Sequence, residues 1–395
     1  MKRIILAGAA LALIMNPATA APKPVAAQLG SIFSAPTTSE GFVLSGKSII
    51  FLQNQSSKSA DVVLTAFDMS GQQQWQRTID AGLDEVGTAI TADPLGNIWV
   101  AGSSAAPVAS ETPTSISGID NPDAVAIDAG SALRPDMNQL TLWKITASGD
   151  LAATYVSLQK SVPLVTAISA TNSGISIIGT LDGKPFLTNL IAGVFGKLII
   201  VGSNKTELNS VARNSDGSSS LFGSSAETLA GKKVAGIRDG ILIKVSKSAA
   251  ITSLVRSSAN KASRSWISGD SGHFVSGPVI TGKVVETAVT KFSPTFTPTW
   301  TMRVPSAGPS TTLTANGNFY LAVTSKSAIT GISGWKPTAP SLLVLTFDSK
   351  GVIKAATALP GLVTPISLSY STARGVVGLA SSADGTVSIF TLVSR

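Results

Sequence analysis

Short apolar segments alternate with polar turns along almost the whole chain from residue 40 onwards. The segments have the length of single β-strands, and clusters of Gly, Ser, Asn and Asp separate them. Charged residues make up only 13% of the chain, and long runs of helix-favouring residues are missing. The pattern therefore predicts an all-β fold.

Two series of segments repeat along the chain. In the first, a turn that contains Gly leads into an apolar strand, as in LGNIWVAGS (95–103) and ANGNFYLAV (315–323). In the second, an alternating strand ends in a polar turn, and the last apolar residue before the turn recurs at spacings of 78, 45, 55, 47, 55 and 45 residues. The residues that define these spacings are Phe67, Ile145, Leu190, Val245, Phe292, Phe347 and Leu392. A period of this length is typical of a repeat architecture.

The repeats predict a seven-bladed β-propeller with four-stranded antiparallel blades. A third series follows the second but has only six members because the chain ends at Arg395, and a fourth, weaker strand precedes each Gly turn. The N-terminal segment VAAQLGSIF (25–33) can supply the missing outer strand, and its pairing with 386–392 would close the ring and remove an open sheet edge. A string of β-sandwiches is the alternative, and the even spacing and the lack of a linker favour the propeller.

The segment VVLTAFDMSGQQQWQRTI (62–79), with GTAITADPLGNIWVAGSS (87–104), resembles the propeller repeat of bacterial secreted and cell-surface proteins. That seven-bladed repeat family combines an Asp-x-x-Gly turn, a Trp strand, and Ala-x-Asp-x-x-Gly-Asn before an apolar strand. The turn FDMSGQQQW (67–75) is also distantly similar to the tryptophan-docking turn of quinoprotein-like propeller blades, although it is one residue shorter. The chain lacks the vicinal cysteine pair of the quinone-binding enzymes, so the two resemblances imply blade architecture and no cofactor.

The first twenty residues have the order of a secretory signal peptide. A basic start, an apolar run (4–15) and the small-residue site Ala18-Thr19-Ala20 predict cleavage after Ala20, leaving a single propeller domain over 21–395. Gly and Lys residues interrupt the most apolar later segment (187–202), so we expect no membrane span in the mature chain. We therefore expect a secreted, periplasmic or cell-envelope protein. The absence of Cys excludes disulfides, thiolate nucleophiles and Cys-ligated metals.

Residues that could carry catalysis are few. His273 is the only histidine, so any Ser–His–Asp arrangement would depend on it, and its position in an apolar strand favours a packed side chain. Most carboxylates fall in turns, where Asp is favoured for local hydrogen bonding, and no pair of acids recurs at one blade position. The acid-rich segment 111–136 contains Asp120 and Asp123, but its spacing matches no defined calcium loop. We expect no catalytic residues, no metal and no cofactor.

Long insertions indicate a binding face. The three longest connections, 103–138, 224–239 and 324–341, all join second and third strands and would emerge on one face of a propeller. Residues 204–303 carry 13 basic and 6 acidic side chains, which predicts a basic sector around Lys261 and Arg264 that could attract anionic polymers. The candidate binding residues on these insertions are Asp120, Asp123, Lys232, Lys233, Arg238, Trp335 and Lys336.

These observations favour an exported, non-enzymatic propeller that acts as a binding or scaffolding module. Its partner would be another envelope protein or an anionic cell-wall polymer, and we expect a monomer. Nucleic acid is not expected, because no aromatic–basic module or recognised motif is present. The alternative is a carboxylate-dependent polysaccharide hydrolase or lyase, which would need two carboxylates about 5–10 Å apart at the channel mouth. A propeller without any ligand also remains open.

Overall fold

A computed structural model describes residues 24–35, 39–56, 59–68, 70–107, 135–258 and 260–392. The predicted signal peptide (1–20) and most of the predicted insertion 103–138, including Asp120 and Asp123, lie outside these residues. The described part of the chain is built from β-strands and turns, as the apolar pattern predicts. It contains no helix that is long and apolar enough to cross a membrane.

The strands follow the predicted segments closely. The first ten are β1 (Val25–Leu29), β2 (Ser31–Ser34), β3 (Gly41–Ser45), β4 (Ser48–Ser56), β5 (Ala60–Phe67), β6 (Gln73–Ile79), β7 (Glu85–Ala92), β8 (Ile98–Ser104), β9 (Gln139–Ile145) and β10 (Leu151–Leu158). The next eleven are β11 (Leu164–Thr171), β12 (Gly174–Leu181), β13 (Lys184–Ile191), β14 (Val194–Phe195), β15 (Ile199–Ile200), β16 (Thr206–Arg213), β17 (Ser219–Ser225), β18 (Asp239–Val245), β19 (Ile251–Ser257), β20 (Ala262–Arg264) and β21 (Ser268–Gly269). The last ten are β22 (Phe274–Thr281), β23 (Val284–Phe292), β24 (Pro298–Ala315), β25 (Asn318–Ser325), β26 (Ile332–Ser333), β27 (Ser341–Phe347), β28 (Ile353–Leu359), β29 (Leu362–Ser371), β30 (Gly375–Ser382) and β31 (Val387–Thr391).

These strands form an all-β propeller with four-stranded antiparallel blades. Within the described residues, the orders β3-β4-β5-β6, β10-β9-β8-β7, β16-β17-β18-β19 and β2-β31-β30-β29 are four-stranded sheets. Strands β11-β12-β13-β14 form a further sheet, in which β15 also pairs with β13. The remaining strands form one ten-stranded mixed sheet, which runs through the 18-residue strand β24. Five sheets are therefore single blades, and the sixth is larger.

Each single blade faces its neighbours through one edge strand, and the ten-stranded sheet does so through β21 and β24. Strand β3 lies against β7, β7 against β11, and β11 against β16. The circuit continues from β16 through β21 and β24 to β29, which lies against β3. These innermost strands surround the centre of the fold.

The predicted pairing of the N-terminal segment with the last strand forms over four residues. Strand β2 pairs antiparallel with β31, with Phe33 opposite Ile389. Only the end of the predicted segment 25–33 pairs in this way, because Gly30 separates β1 from β2 and β1 pairs in parallel with β28. A side chain at position 30 would meet Leu359 and Thr357 at 2.7 and 2.8 Å, so only Gly fits where the chain passes from one sheet to the next.

The core lies between neighbouring sheets. One apolar cluster joins Trp99 and Leu142 of the β7–β10 sheet to Ile177 and Phe186 of the β11–β15 sheet, and similar clusters fill the other junctions. Hydroxyl groups also tie sheet to sheet, since Thr88 Oγ1 donates to the carbonyl of Val165 at 2.8 Å. Each blade is therefore stabilised largely by the blades beside it.

A tight turn recurs between the third and fourth strands of a blade. The N–H of Gly71, Gly149 and Gly351 donates to the carbonyl three residues earlier at 3.0–3.1 Å, and each glycine has a φ between +81° and +92°. This left-handed conformation favours glycine. The repeated Gly positions that the sequence displays thus mark the corners of the blades.

We expect removal of β1 and β2 to destabilise the whole fold. A chain that begins at Ala35 would expose the edge of β31 and the fully buried ring of Phe390. Relative to a chain that begins at Ala21, its thermal midpoint by circular dichroism should fall by at least about 10 °C, with aggregation on size-exclusion chromatography. Equal midpoints for the two chains would show that the N-terminal strands do not stabilise the propeller.

Candidate functional site

The innermost strands enclose a central channel, formed by two cavities of about 720 and 360 Å³. The cavities share Ser210, Thr312, Ser367 and Leu368, which lie on three different innermost strands. Their volumes are in the range of small-ligand pockets. The channel is therefore large enough to hold a small ligand.

Hydroxyl groups, amides and backbone dominate the channel wall. Among its described lining residues, Arg213 and Asp270 are the only charged side chains. Many of the hydroxyls bond across blade junctions, as where Ser210 Oγ donates to the carbonyl of Gly269 at 2.6 Å. The wall can hydrogen-bond a polar ligand or water, but it offers few groups that transfer protons.

The guanidinium of Arg213 forms hydrogen bonds with the neighbouring blade. Its Nη1 donates to Asn189 Oδ1 at 2.9 Å, and its Nε and Nη2 donate to the hydroxyl and the carbonyl of Ser173 at 3.1 and 3.0 Å. Burial lowers the pKa of Arg213, and the charge of Asp216 opposes that effect. This side chain joins two blades and is 2% exposed, so it is not a free cation of the channel.

Asp270 is the one carboxylate on the described wall. Its Oδ1 accepts from the N–H of Gly272 and of Phe274 and from the hydroxyl of Thr314 at 2.9, 3.3 and 3.0 Å. Its Oδ2 is buried without a hydrogen-bond partner, and burial raises the pKa of the group against those hydrogen bonds. A single carboxylate cannot supply the acid and the base that glycoside hydrolysis requires.

His273 is half-buried at a turn with φ +52°. Its Nε2 lies 3.3 Å from Ser220 Oγ, and its ring packs edge-on against Phe296 with centroids 5.3 Å apart. Burial, followed by the charges of Lys291 and Lys244, lowers the pKa of His273 to about 4. The imidazole is neutral at pH 7, and Ser220 is fully buried, so the pair is not placed to attack a substrate from solvent.

The predicted insertion 224–239 is held firmly on the outer strand of its blade. Arg256 Nη1 pairs with Asp239 Oδ2 at 3.2 Å, and both side chains are almost fully buried. Arg256 Nε donates to the carbonyl of Lys232 at 3.1 Å, and its Nη2 donates to the carbonyl of Glu227. The Glu227 carboxylate accepts from Ser203 and Thr206, which lowers its pKa against burial.

The predicted binding residues on this insertion differ in whether their charged groups contact other residues of the chain. Lys232 Nζ donates to the carbonyl of Leu254 at 2.6 Å, whereas Lys233 is exposed. Arg238 Nη1 donates to Ser224 Oγ at 2.9 Å and pairs with Glu207 at 3.3 Å. The insertion therefore presents basic groups from a fixed backbone.

The second described insertion, 324–341, is also ordered. Trp335, one of the predicted binding residues, is half-buried; its Nε1 donates to Ser325 Oγ at 2.9 Å and its ring packs on a core that includes Ile329 and Ile332. Lys336 beside it is exposed. Among described residues, no hydrogen bond or ion pair joins this loop to 224–239. Asp120 and Asp123 lie outside the described residues.

The sequence missed an acidic cluster between the first two blades. Oxygen atoms of Asp61, Asp80 and Glu85 lie within 4.8 Å of one another, and such oxygens suit a hard cation. Burial, together with the charges of Asp61 and Asp80, raises the pKa of Glu85 although the N–H of Ala81 opposes it. No sequence motif predicts the cluster, because its three members lie at the ends of three different strands.

Comparison with solved structures supports the fold. The chain is similar to the WD40 domain of Toxoplasma gondii coronin (13% identity, TM-score 0.51; 94% of this chain and 90% of that chain covered). It is similar to the β-propeller domain of the Trilobed protease from Pyrococcus furiosus (9%, 0.50; 93% and 97%). It is also similar to the Cps50 (Swd1) β-propeller domain of Myceliophteria thermophila (9%, 0.50; 92% and 99%).

No protein-family model matches the chain, and no curated protein matches it. The comparisons therefore show a β-propeller at low identity, and they give nothing for the bacterial secreted repeat family that the sequence resembles.

We expect Arg256→Met to destabilise the propeller strongly. The substitution would leave the carboxylate of Asp239 buried without its cation, which typically costs about 3–5 kcal/mol of unfolding free energy. The matched control is Arg303→Met, because Arg303 forms a partly exposed pair with Glu286 that should contribute about 1 kcal/mol or less. Urea unfolding measures both, and equal losses would contradict the special role of the buried pair.

We also expect His273 to make stability depend on pH. Its folded pKa lies below the unfolded value of 6.5, so between pH 6.5 and about 4 the unfolded state binds a proton that the folded state does not. This contribution to stability is complete above pH 6.5 and is lost as the pH falls to about 4. His273→Asn, which tolerates the positive φ, should flatten that part of the thermal midpoint profile. Superimposable profiles for parent and variant would contradict the assignment.

Proposed function

We propose that the chain is an exported, seven-bladed, non-enzymatic β-propeller that acts as a binding or scaffolding module at the cell envelope or outside the cell. Its partner is another envelope protein or an anionic cell-wall polymer. The observation that carries the proposal is the contrast between the channel wall, with one carboxylate among its described residues, and the rigid basic loop of residues 224–239.

The count of seven rests on dividing the ten-stranded sheet at β24. The first part of β24 pairs with β23 up to Pro305, and the second part pairs with β25 from Ser306 onwards, with a register shift between Ser306 and Ser310. Strand β24 is then the outer strand of one blade and the inner strand of the next. The two blades, with the five single ones, make seven.

Binding is favoured over catalysis by how the reactive groups are used. Asp270 is the lone carboxylate of the described channel wall, the neutral His273 contacts a buried hydroxyl, and Arg213 bonds across a blade junction. The exposed amines of Lys233 and Lys336, in contrast, are available on ordered loops. Long-range attraction of an anionic partner by such groups weakens with salt.

Export is supported by the sequence of the first twenty residues, with its basic start, apolar run and Ala18-Thr19-Ala20. Loops on a rigid scaffold are also where binding residues concentrate in other proteins. A propeller released into the envelope would present these loops to the polymers and proteins there.

Polyglutamate is a suitable probe for the basic loops. We expect the chain from Ala21 to bind it at low salt, and the triple variant K232E/K233E/K336E to bind at least about tenfold more weakly. The matched control is K47E/K184E/K350E, which reverses three exposed lysines elsewhere and should retain binding. Equal loss in both variants would show a generically basic surface and would overturn the assignment, as would release of reducing ends from a polysaccharide by the purified chain.

A further inference from the structure

A cavity of about 750 Å³ lies between the blade β7–β10 and the blade β11–β15, and we call it the Lys144 cleft. Every residue that lines it belongs to the described ranges. It lies at the Ile98 and Ile145 ends of β8 and β9, whereas the insertion joins the Ser104 and Gln139 ends. These ends are about 20 Å apart, so the cleft opens on the face opposite the insertions.

The only carboxylate that lines the cleft, Asp93, is already fully used. Its Oδ1 accepts from the N–H of Leu95 and of Asn97, both at 2.9 Å. Its Oδ2 accepts from Asn97 Nδ2 at 2.8 Å and from Trp99 Nε1 at 3.0 Å. Burial would raise the pKa of Asp93, but the hydrogen bonds from Trp99 and Asn97 hold it below its ordinary value. A carboxylate has about four acceptor positions, so Asp93 fixes the indole and has none left for a ligand.

The only cation that lines the cleft is Lys144, and its ammonium group has donors to spare. Its Nζ lies 5.3 Å from the centre of the Trp99 ring, and the Tyr155 ring lies nearly parallel to that indole with centroids 6.0 Å apart. Among the described residues, Nζ forms no hydrogen bond and no ion pair. An ammonium group carries three N–H donors. The cleft therefore offers positive charge and unused donors beside two aromatic rings.

The same position in two other blades shows what such a lysine does when its own blade satisfies it. A lysine directly precedes the last apolar residue of the third strand at positions 144, 244 and 291. Lys291 Nζ donates to the carbonyls of Gly272 and Phe292 at 2.5 and 2.6 Å. The charge of Lys244, after hydrogen bonds within the turn, helps to lower the pKa of Asp216. Lys144 has neither kind of partner among the described residues, and it lines a cavity instead.

The rest of the cleft is suited to an apolar body. Six apolar or aromatic side chains line it, namely Leu95, Trp99, Tyr155, Ile175, Leu190 and Ile191. Leu95 and Ile191 are 81% and 45% exposed, whereas Ile175 and Leu190 are buried. Pockets of this volume with apolar walls and few polar groups typically hold small organic ligands. An inorganic anion would pair with the lysine but would leave these walls in contact with water.

We infer that the Lys144 cleft binds an organic carboxylate with an apolar, preferably aromatic, body. The carboxylate pairs with Lys144, and the body covers the apolar walls, where a flat ring can stack on Tyr155. The same chemistry is found in a small aromatic acid and in the C-terminal residue of a peptide. The site goes beyond the proposed function, because it lies on the opposite face from the basic loops and takes a different ligand.

Three small probes separate charge from apolar contact. In a calorimetric titration at low salt, 2-naphthoate should bind the chain from Ala21 with a Kd below about 1 mM. Acetate, which lacks the body, and 2-naphthamide, which lacks the charge, should each bind at least about tenfold more weakly. Equal binding of 2-naphthoate and 2-naphthamide, or no binding of 2-naphthoate, would overturn the inference.

Substitution of the lysine locates the binding. Lys144→Met keeps an apolar stem but removes the charge, so it should weaken binding of 2-naphthoate at least about tenfold, and Lys144→Arg should bind within about threefold of the parent. The matched control is Lys247→Met, which removes an exposed lysine from a turn on the same face of another blade. Unchanged binding by Lys144→Met, or an equal loss in Lys247→Met, would overturn the inference.

A negative charge on the opposite wall gives an independent test. Asn172 lines the cleft and is exposed, so Asn172→Asp should fold normally and weaken binding of 2-naphthoate at least about tenfold by repelling it. Asn204→Asp makes the same change at an exposed position outside the cleft and should bind like the parent. Equal affinities of the two Asp variants would contradict the assignment.

A peptide distinguishes the two sources of the carboxylate. Tighter binding of acetyl-Gly-Gly-Phe than of 2-naphthoate would identify a chain end as the ligand, and the reverse order would identify a small acid; both support the inference. The C-terminal amide of the peptide should bind at least about tenfold more weakly than the free acid. An amide that binds as tightly as the acid would overturn the inference. So would loss of polyglutamate binding in Lys144→Met, because that loss would show a general effect of charge.

Discussion

The fold depends on contact between neighbouring sheets. A four-stranded blade has two faces, and the apolar clusters of this protein lie between blades, so each blade needs a neighbour on both sides. Hydroxyls reinforce the junctions, as where Thr324 Oγ1 donates to the carbonyl of Val363 at 2.6 Å. If the ring of blades were not closed, its first and last blades would expose an apolar face and an edge strand. The first and last strands must therefore meet, and β2 and β31 do.

The place where the chain closes is also the place where the repeat is least regular. At the other corners, the outer strand follows its turn directly, so an aromatic residue shortly after the turn can reach the next blade. The strand β2 comes from the far end of the chain, and its short register with β31 puts Ser31 where Trp75 and Trp300 stand in their blades. Closure of the ring thus interrupts the local pattern that the other blades repeat.

The sequence pattern predicted those features that depend only on residues close together in the chain. The strand segments and their Gly turns follow from alternation and turn chemistry, and Asp93 does accept from the N–H of Leu95 and Asn97 in the turn that precedes Trp99. Features that join distant residues were not predictable. The parallel pairing of β1 with β28 depends on where Gly30 fits, and Trp335 is half-buried because its indole reaches Ser325. The Asp239–Arg256 pair likewise depends on register between strands, which the sequence does not state.

The central channel and the outer junctions differ in what they leave available for binding. The channel hydroxyls of Ser210 and Ser268 already bond to the neighbouring blade, and the charge of Arg213 lies inside a junction, so the inner wall contributes mainly to stability. The loop 224–239 is rigid because the buried ion pair between Arg256 and Asp239 holds it in place. Lys233 is therefore an exposed cation on a fixed backbone. A fixed backbone reduces the entropy lost when a partner binds. We therefore expect selective binding at the periphery of this propeller, where stabilising contacts hold a loop in place.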